Sequence, residues 1–232
     1  TTLKVGDPIK LVCDLHKSFV ECTDIEETLD HFYGWGQLLI ADFDDVDKNM
    51  ASARQLFANL SDIHELDDVS YLTEEQKEII KKFFSNFSDD HNTELKKRFL
   101  QLWSHFYDIY VGFNQKLAEQ QLAYEGALYR KVVNDEDIDF HYKKYLFIGF
   151  NMMQIVEQTL CDRLLKQGKA LFYWDYDKYY MEGQNEAGHY IRQYLKHYPN
   201  ELASYPQKDI YDNMSKNKDI TYISAPTENI QA

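Results

Sequence analysis

Apolar residues in the first 140 positions recur at the three- and four-residue spacing of amphipathic α-helices. Asp7 followed by Pro8 predicts a helix N-terminus, and Thr23 with Glu26 has the spacing of a capping box that would begin the next helix. The longest stripe predicts one buried seam on a single long helix, formed by Trp35, Leu39, Phe43, Val46, Met50, Ala53, Phe57 and Leu60.

More helices follow in the same segment. A capping box at Thr73 and Gln76 precedes an apolar run that ends at Phe87. A further helix is predicted over residues 122–133, before the acidic turn NDEDID. Between them lies a second long stripe, formed by Leu95, Phe99, Leu102, Phe106, Ile109, Phe113 and Leu117. Residues 1–140 are therefore expected to form an all-helical subdomain.

The pattern changes after Phe140. Asn151 is a plausible cap for a helix that stops at Gly168, and Asn185 for a helix that ends before Pro199. Short apolar runs flank these helices and predict three strands, YLFIGF, ALFYWDY and DITYISAP, at 145–150, 170–176 and 219–226. Strands that alternate with helices in this way favour a βαβαβ arrangement with a parallel sheet.

Charge divides the chain at the same place. Residues 1–140 carry 28 acidic and 14 basic side chains, whereas residues 141–232 carry 11 of each. The two segments should therefore have different roles, and the acidic front segment is poorly suited to bind phosphates. The chain also begins without Met and ends where a new helix is predicted, so we expect it to be a piece of a longer protein.

Composition narrows the class of protein. The 44% apolar content with 15% aromatic residues excludes general disorder and supports a sizeable core. No apolar run approaches the roughly 18 residues that a membrane span requires, so no membrane association is expected. The three cysteines are unclustered and lack CxxC spacing, which favours a reducing cytoplasm over a disulfide framework or a zinc site.

The acidic run ADFDDVDK does not form a calcium loop. An EF-hand that began at Asp42 would need a ligand where Val46 stands and a glycine where Asp47 stands. The acids Asp42, Asp45 and Asp47 are expected instead on solvated helix faces. The eight histidines form neither HxxxH nor HExxH, so no metal site is predicted.

The stretch from Tyr145 to Tyr180 resembles the second and third conserved motifs of superfamily I DNA helicases. In those enzymes one strand ends in Asp-Glu, of which the Asp coordinates magnesium and the Glu polarises the attacking water. The next strand leads into a GDxxQ loop. By position, Gly149 replaces the Asp, Phe150 the Glu and Lys178 the Gln. Glycine and phenylalanine can neither bind a cation nor accept a proton. The resemblance thus implies a degenerate nucleotide site at Gly149, Phe150, Asn151, Asp175, Asp177 and Lys178.

The order of the segments extends this resemblance. Superfamily I motors have a helical subdomain inserted ahead of the Asp-Glu strand. The predicted helical segment, residues 1–140, has the same place in this chain. With AYEGALYR and NEAGHYIRQYLKHYP, the whole chain resembles AddB-type subunits of bacterial helicase–nucleases. The resemblance implies part of an inactivated RecA-like domain, with DNA and a helicase–nuclease subunit as partners and no cofactor in this chain. It also places a P-loop region before Thr1 and a PD-(D/E)XK nuclease after Ala232.

The function implied is a scaffold and strand guide in DNA double-strand-break repair, without ATP hydrolysis. Two alternatives stay open. Asp175 and Asp177 follow a predicted strand, where open α/β sheets bind ligands, and could hold magnesium in an independent enzyme. The acidic helical block could instead make this a protein-interaction module.

Aromatic residues crowd the second strand and the loop after it. Phe172 and Trp174 alternate along the strand and are expected in the core. Tyr176, Tyr179 and Tyr180 lie beyond the strand and are candidates to stack unpaired DNA bases.

Overall fold

The computed structural model describes residues 2–23, 25–61, 104–183, 185–204 and 208–222. Over these residues the chain is a mixed α/β protein with two small parallel sheets, which confirms the predicted combination of helices with parallel strands. The chain forms two compact units, one of residues 1–140 and 154–160, the other of residues 141–153 and 161–232. The helix predicted after Thr73 and the first three members of the second stripe lie outside the described residues.

The first unit combines helices with a short two-stranded parallel sheet. Its described elements are β1 (Lys4–Val5), α1 (Pro8–Thr23), α2 (Leu29–Lys48), α3 (Ala53–Ser61), α4 (Phe106–Glu119), β2 (Leu122–Ala123) and α5 (Glu125–Asn134). The predicted helix over 122–133 therefore begins later, because its first two residues pair with β1. Met50 and Gln121, which follow α2 and α4, are the residues other than glycine with positive φ among those described.

The start of α1 follows the prediction, whereas the start of α2 does not. The Asp7 carboxylate accepts two backbone N–H groups of the first turn, at 3.0 and 3.3 Å. Thr23 instead closes α1, because its hydroxyl donates to the carbonyl oxygen of Phe19 at 2.7 Å. Helix α2 starts after Thr28, so the capping box predicted at Thr23 is wrong.

The predicted long helix is divided in two by a reversal at Met50. Its φ is 54°, in the left-handed region, and its N–H donates to Asp47 O while Ala51 N–H donates to Val46 O, both at 3.0 Å. These two bonds form a Schellman motif, which ends α2. The stripe is nevertheless buried on both helices, as shown by Leu39, Phe43, Ala53 and Phe57.

A buried carboxylate lies inside this helical core. Asp47 is 1% exposed and accepts hydrogen bonds from the Tyr110 hydroxyl at 2.7 Å, from the Tyr124 hydroxyl and from Arg130 Nη1 at 3.1 Å. The expectation that Asp47 is solvated is wrong, because donors from α4, the β2–α5 junction and α5 replace its water. The other two acids of the run are exposed, namely Asp42 and Asp45.

The rest of the chain forms a parallel βαβ arrangement. Its described elements are β3 (Tyr145–Ile148), α6 (Ile155–Lys166), β4 (Ala170–Tyr173), α7 (Lys178–Met181) and α8 (His189–Tyr194), with 3₁₀ turns at Glu186–Gly188, Glu201–Ser204 and Lys208–Tyr211. All of them belong to the second unit except the part of α6 up to residue 160, which is grouped with the first. Strands β3 and β4 pair in parallel. The predicted third strand is not formed over residues 219–222, which have no regular secondary structure, and its remainder lies outside the described residues.

The ends of α6 are set by local hydrogen bonds. The Glu157 carboxylate accepts the N–H of Gln154 at 2.8 Å, so α6 begins after Gln154 and not at Asn151 as predicted. Gly168 has a φ of 65°, and the N–H of Lys169 donates to Leu164 O at 2.8 Å. The predicted stop at Gly168 is confirmed, since glycine adopts this left-handed conformation without strain.

Aromatic rings form the core of this unit. Phe172 and Trp174 are 0% and 2% exposed, which confirms that they are core residues. Phe172 stacks on Tyr198 with ring centroids 4.6 Å apart, and Trp174 stacks on Tyr194 at 5.5 Å. Asn185 caps the 3₁₀ turn Glu186–Gly188, since its side chain accepts the N–H of Ala187 at 3.1 Å, whereas α8 begins only at His189 and ends at Tyr194, earlier than predicted.

Replacing Asp47 with alanine should destabilise the protein by about 3–5 kcal/mol, since two tyrosine hydroxyls and a guanidinium lose their buried acceptor. Asp45→Ala, on the exposed side of the same helix, should change the free energy of unfolding little. Urea unfolding of both variants measures the difference. Equal stability of the two variants would show that the buried network is not stabilising.

Candidate functional site

An open cavity of about 270 Å³ lies where β3 and β4 end. Parallel strands bring their carboxyl ends to one edge of a sheet, which is where open α/β proteins bind ligands. Seven of the predicted positions line it, namely Gly149, Phe150, Asn151, Asp175, Tyr176, Asp177 and Tyr180. Lys178 and Tyr179 belong to the same loop and helix but do not line the cavity.

Gly149 turns the chain out of β3. Its φ is 75°, and a Cβ added there would meet no atom within 4 Å. The position is therefore spacious but conformationally unsuited to other residues, so an aspartate would be strained there. The next residue, Phe150, contributes a ring whose centroid lies 6.0 Å from that of Phe147. The strand end thus presents a bare backbone and an apolar ring to the cavity.

Asp177 is engaged by the backbone. One carboxylate oxygen accepts the N–H of Tyr179 at 3.0 Å, which caps α7. The other accepts the N–H groups of Asn213 and Met214 at 2.7 and 2.8 Å. Burial raises the pKa of Asp177, but these three amides and the charge of Lys218 outweigh burial and hold the pKa below its ordinary value. Asp177 therefore fastens the segment around residue 213 to α7.

These contacts leave little for a cation. Asp175 is exposed, whereas both oxygens of Asp177 already accept hydrogen bonds. Among the described residues, no group of three or more His, Cys, Asp or Glu side chains is arranged to hold a metal ion. Residues 175–186 carry four acidic side chains and one basic one, and two of the acids, Asp175 and Asp177, line the cavity.

The opposite wall of the cavity comes from residues that the sequence did not single out. Gly188 lies against the Tyr180 carbonyl so closely that a Cβ would come within 2.1 Å of that oxygen. Arg192 holds this wall together by donating to the carbonyl oxygens of Tyr180 at 3.0 Å and Asn185 at 2.8 Å. An NEAG turn gives no local signal of this close approach, because the contact is tertiary.

The three candidate tyrosines have different surroundings. Tyr176 stacks on Tyr211 with centroids 4.3 Å apart, so one face of its ring is covered. Tyr180 lines the cavity and meets Tyr179 edge to face at 5.3 Å. Tyr179 is 61% exposed and is therefore the most accessible of the three to a ligand ring.

No family model, curated protein or solved structure matches this chain. Within the described part of the chain, no helix is both long and apolar enough to cross a bilayer. None of the three cysteines, all of which lie in described regions, forms a disulfide.

Gly149→Ala should destabilise the protein by about 1–2 kcal/mol, because alanine is strained at positive φ even where space is available. Gly34 is the matched control, since it is exposed within α2 and a Cβ there also meets nothing within 4 Å. Gly34→Ala should stabilise by about 0.5–1 kcal/mol. Thermal unfolding of both variants tests the contrast, and shifts of the same sign would contradict it.

Asp177→Ala should accelerate amide hydrogen exchange at Asn213 and Met214, whose shared acceptor is removed. Asp175→Ala should leave that exchange unchanged. Because the pKa of Asp177 is lowered from 3.8, the protection should be complete above about pH 3.8. It should disappear as the pH falls through the lower pKa of the folded state. Unchanged protection in Asp177→Ala, after correction for intrinsic exchange rates, would refute this role.

Proposed function

We propose that this chain is a helicase-like, catalytically inactive part of a DNA-repair helicase–nuclease, where it acts as a scaffold and strand guide. In this proposal β3, α6 and β4 belong to a degenerate RecA-like domain. The observation that supports it is that Gly149 and Phe150 line the cavity at the end of β3, at the positions that carry carboxylates in the helicases that this stretch resembles.

The electrostatics of the cavity support the absence of ATP turnover. Phosphoryl transfer relies on a magnesium ion and on cationic groups that neutralise the phosphates. The residues that line the cavity include two carboxylates, Asp175 and Asp177, and no lysine or arginine, and the Asp177 carboxylate is already hydrogen-bonded. A triphosphate would be repelled here without a bound cation to offset the charge.

The same contacts disfavour the competing magnesium enzyme. That interpretation needs Asp175 and Asp177 as a ligand pair, and Asp177 would have to release three backbone N–H groups to bind a cation. Each released amide would lose a charge-assisted hydrogen bond. The segment around residue 213 would lose its attachment to Asp177. A bound metal ion and the ordered structure of this segment would therefore compete for the same carboxylate.

The scaffold role draws on the first unit. Its helices enclose a core of apolar side chains, and residues 1–140 carry an excess of 14 acidic over basic side chains. Such a surface suits association with a protein partner better than with DNA. We infer that the partner is another subunit of the helicase–nuclease and that the assembly works in the reducing cytoplasm, where cysteines remain thiols.

The strand-guiding role is tested with a fluorescent (dT)20 oligonucleotide. The protein should bind it without hydrolysing Mg-ATP, and Tyr179→Ala should weaken binding by roughly 1–3 kcal/mol, the value of one base–aromatic stack. Tyr222, which is 91% exposed, provides the control, and Tyr222→Ala should bind as the wild type does. Fluorescence anisotropy and a phosphate-release assay measure the two properties.

Two results would overturn the proposal. Turnover of Mg-ATP, or stoichiometric Mg²⁺ binding that Asp175→Ala abolishes, would identify an active site. Failure to bind (dT)20 even at low salt would exclude the strand-guiding role and favour the alternative of a protein-interaction module.

A further inference from the structure

The two edges of the β3–β4 sheet carry opposite charge. Residues 175–186, at the carboxyl edge, hold four acidic side chains and one basic one. Residues 141–170, which include the segments at the amino edge, hold five basic side chains and two acidic ones. By charge, the carboxyl edge is thus the less favourable end of the sheet for a polyanion, and the amino edge is the more favourable one.

The parallel pairing brings the basic segments together. The loop HYKK leads into β3 and RLLKQGK leads into β4, and the first residues of the strands, Tyr145 and Ala170, are partners in the ladder. Tyr145 N–H donates to Lys169 O at 2.8 Å, and Lys144 Nζ donates to Gly168 O at 2.7 Å. Two short segments that are about twenty residues apart in the chain therefore form one surface.

Three of the charges on this surface are exposed, namely those of Lys143, Lys144 and Lys166. Asp162 precedes the second segment directly and accepts a hydrogen bond from the Tyr198 hydroxyl at 2.8 Å, whereas the acid nearest to the first segment in the chain is Asp139. The Lys144 ammonium also offsets the carbonyl groups at the end of α6, which would otherwise disfavour an anion there.

An aromatic ring accompanies the charges. Tyr142 is 60% exposed, and its ring is supported by His141 with centroids 4.2 Å apart and by Tyr145 at 5.6 Å, edge to face. The supporting rings limit its motion, so less entropy is lost when a flat ligand stacks on it. Exposed rings beside flexible cations are the combination with which proteins bind unpaired nucleic acid.

We propose that this amino edge, formed by residues 141–144 and 163–169, binds the phosphate backbone of single-stranded nucleic acid, with Tyr142 stacking on a base. The inference rests on the proposed function for the class of ligand, and it moves the principal contact from the cavity to the opposite end of the sheet. A second copy of this chain, offering its acidic first unit, is the rival occupant. The exposed Tyr142 ring favours the nucleic acid. An acidic protein surface could bind through the lysines alone, whereas a base also stacks on the ring.

The test uses (dT)20 anisotropy across a range of salt concentrations. Lys143→Gln/Lys166→Gln should weaken binding at least fivefold and reduce the slope of log K against log salt by about 1.4, the value for two phosphate contacts with a single strand. Lys196→Gln/Lys218→Gln removes the same charge from exposed positions elsewhere in this unit and should leave the slope unchanged. Tyr142→Ala should weaken binding with an unchanged slope.

Each other outcome has one meaning. If the wild type binds and Tyr179→Ala weakens binding while the lysine pair behaves like its control, this inference fails and the proposed function stands. If the lysine pair changes only the oligomeric state in sedimentation, the surface binds a second copy and the inference is overturned. If the wild type does not bind (dT)20 at any salt concentration, the inference and the strand-guiding role fail together. Circular dichroism of every variant verifies that it is folded.

Discussion

The parallel pairing of β3 with β4 positions both surfaces to which we assign contacts with nucleic acid. Parallel strands force a crossover through α6 and bring like ends together, so the loops after the strands meet at one edge and those before them at the other. Four paired positions are enough to create a cavity at the carboxyl edge and a basic surface at the amino edge. The buried rings of Phe172 and Trp174 fix one face of this sheet against the aromatic core.

The cavity retains the shape of a ligand site while its polar groups serve the fold. Asp177 has the residue type and location of a cation ligand, but its oxygens hold three backbone amides in place. Gly149 provides a reversal at positive φ where a carboxylate would be strained. Hydrogen bonding, and not only residue identity, thus decides whether a carboxylate near a strand end is available for chemistry.

The buried polar groups of the first unit likewise stabilise the fold. A carboxylate can be buried only when its lost hydration is replaced, and three donors surround Asp47 from elements far apart in sequence. Removing any one donor leaves the buried Asp47 carboxylate short of a partner, so the network ties α2, α4 and α5 to one arrangement. The helical packing is therefore specific as well as apolar.

Sequence alone determined the features that depend on neighbouring residues: the cap at Asp7, the stop at Gly168, the apolar stripes and the two strands that enclose α6. It also determined which residues share the carboxyl edge, since parallel order follows from the βαβ pattern. The tertiary structure decided the break at Met50, the burial of Asp47, the Arg192-braced wall and the joining of the two basic segments. These depend on contacts between distant parts of the chain, and periodicity carries no information about which distant donor meets which acceptor.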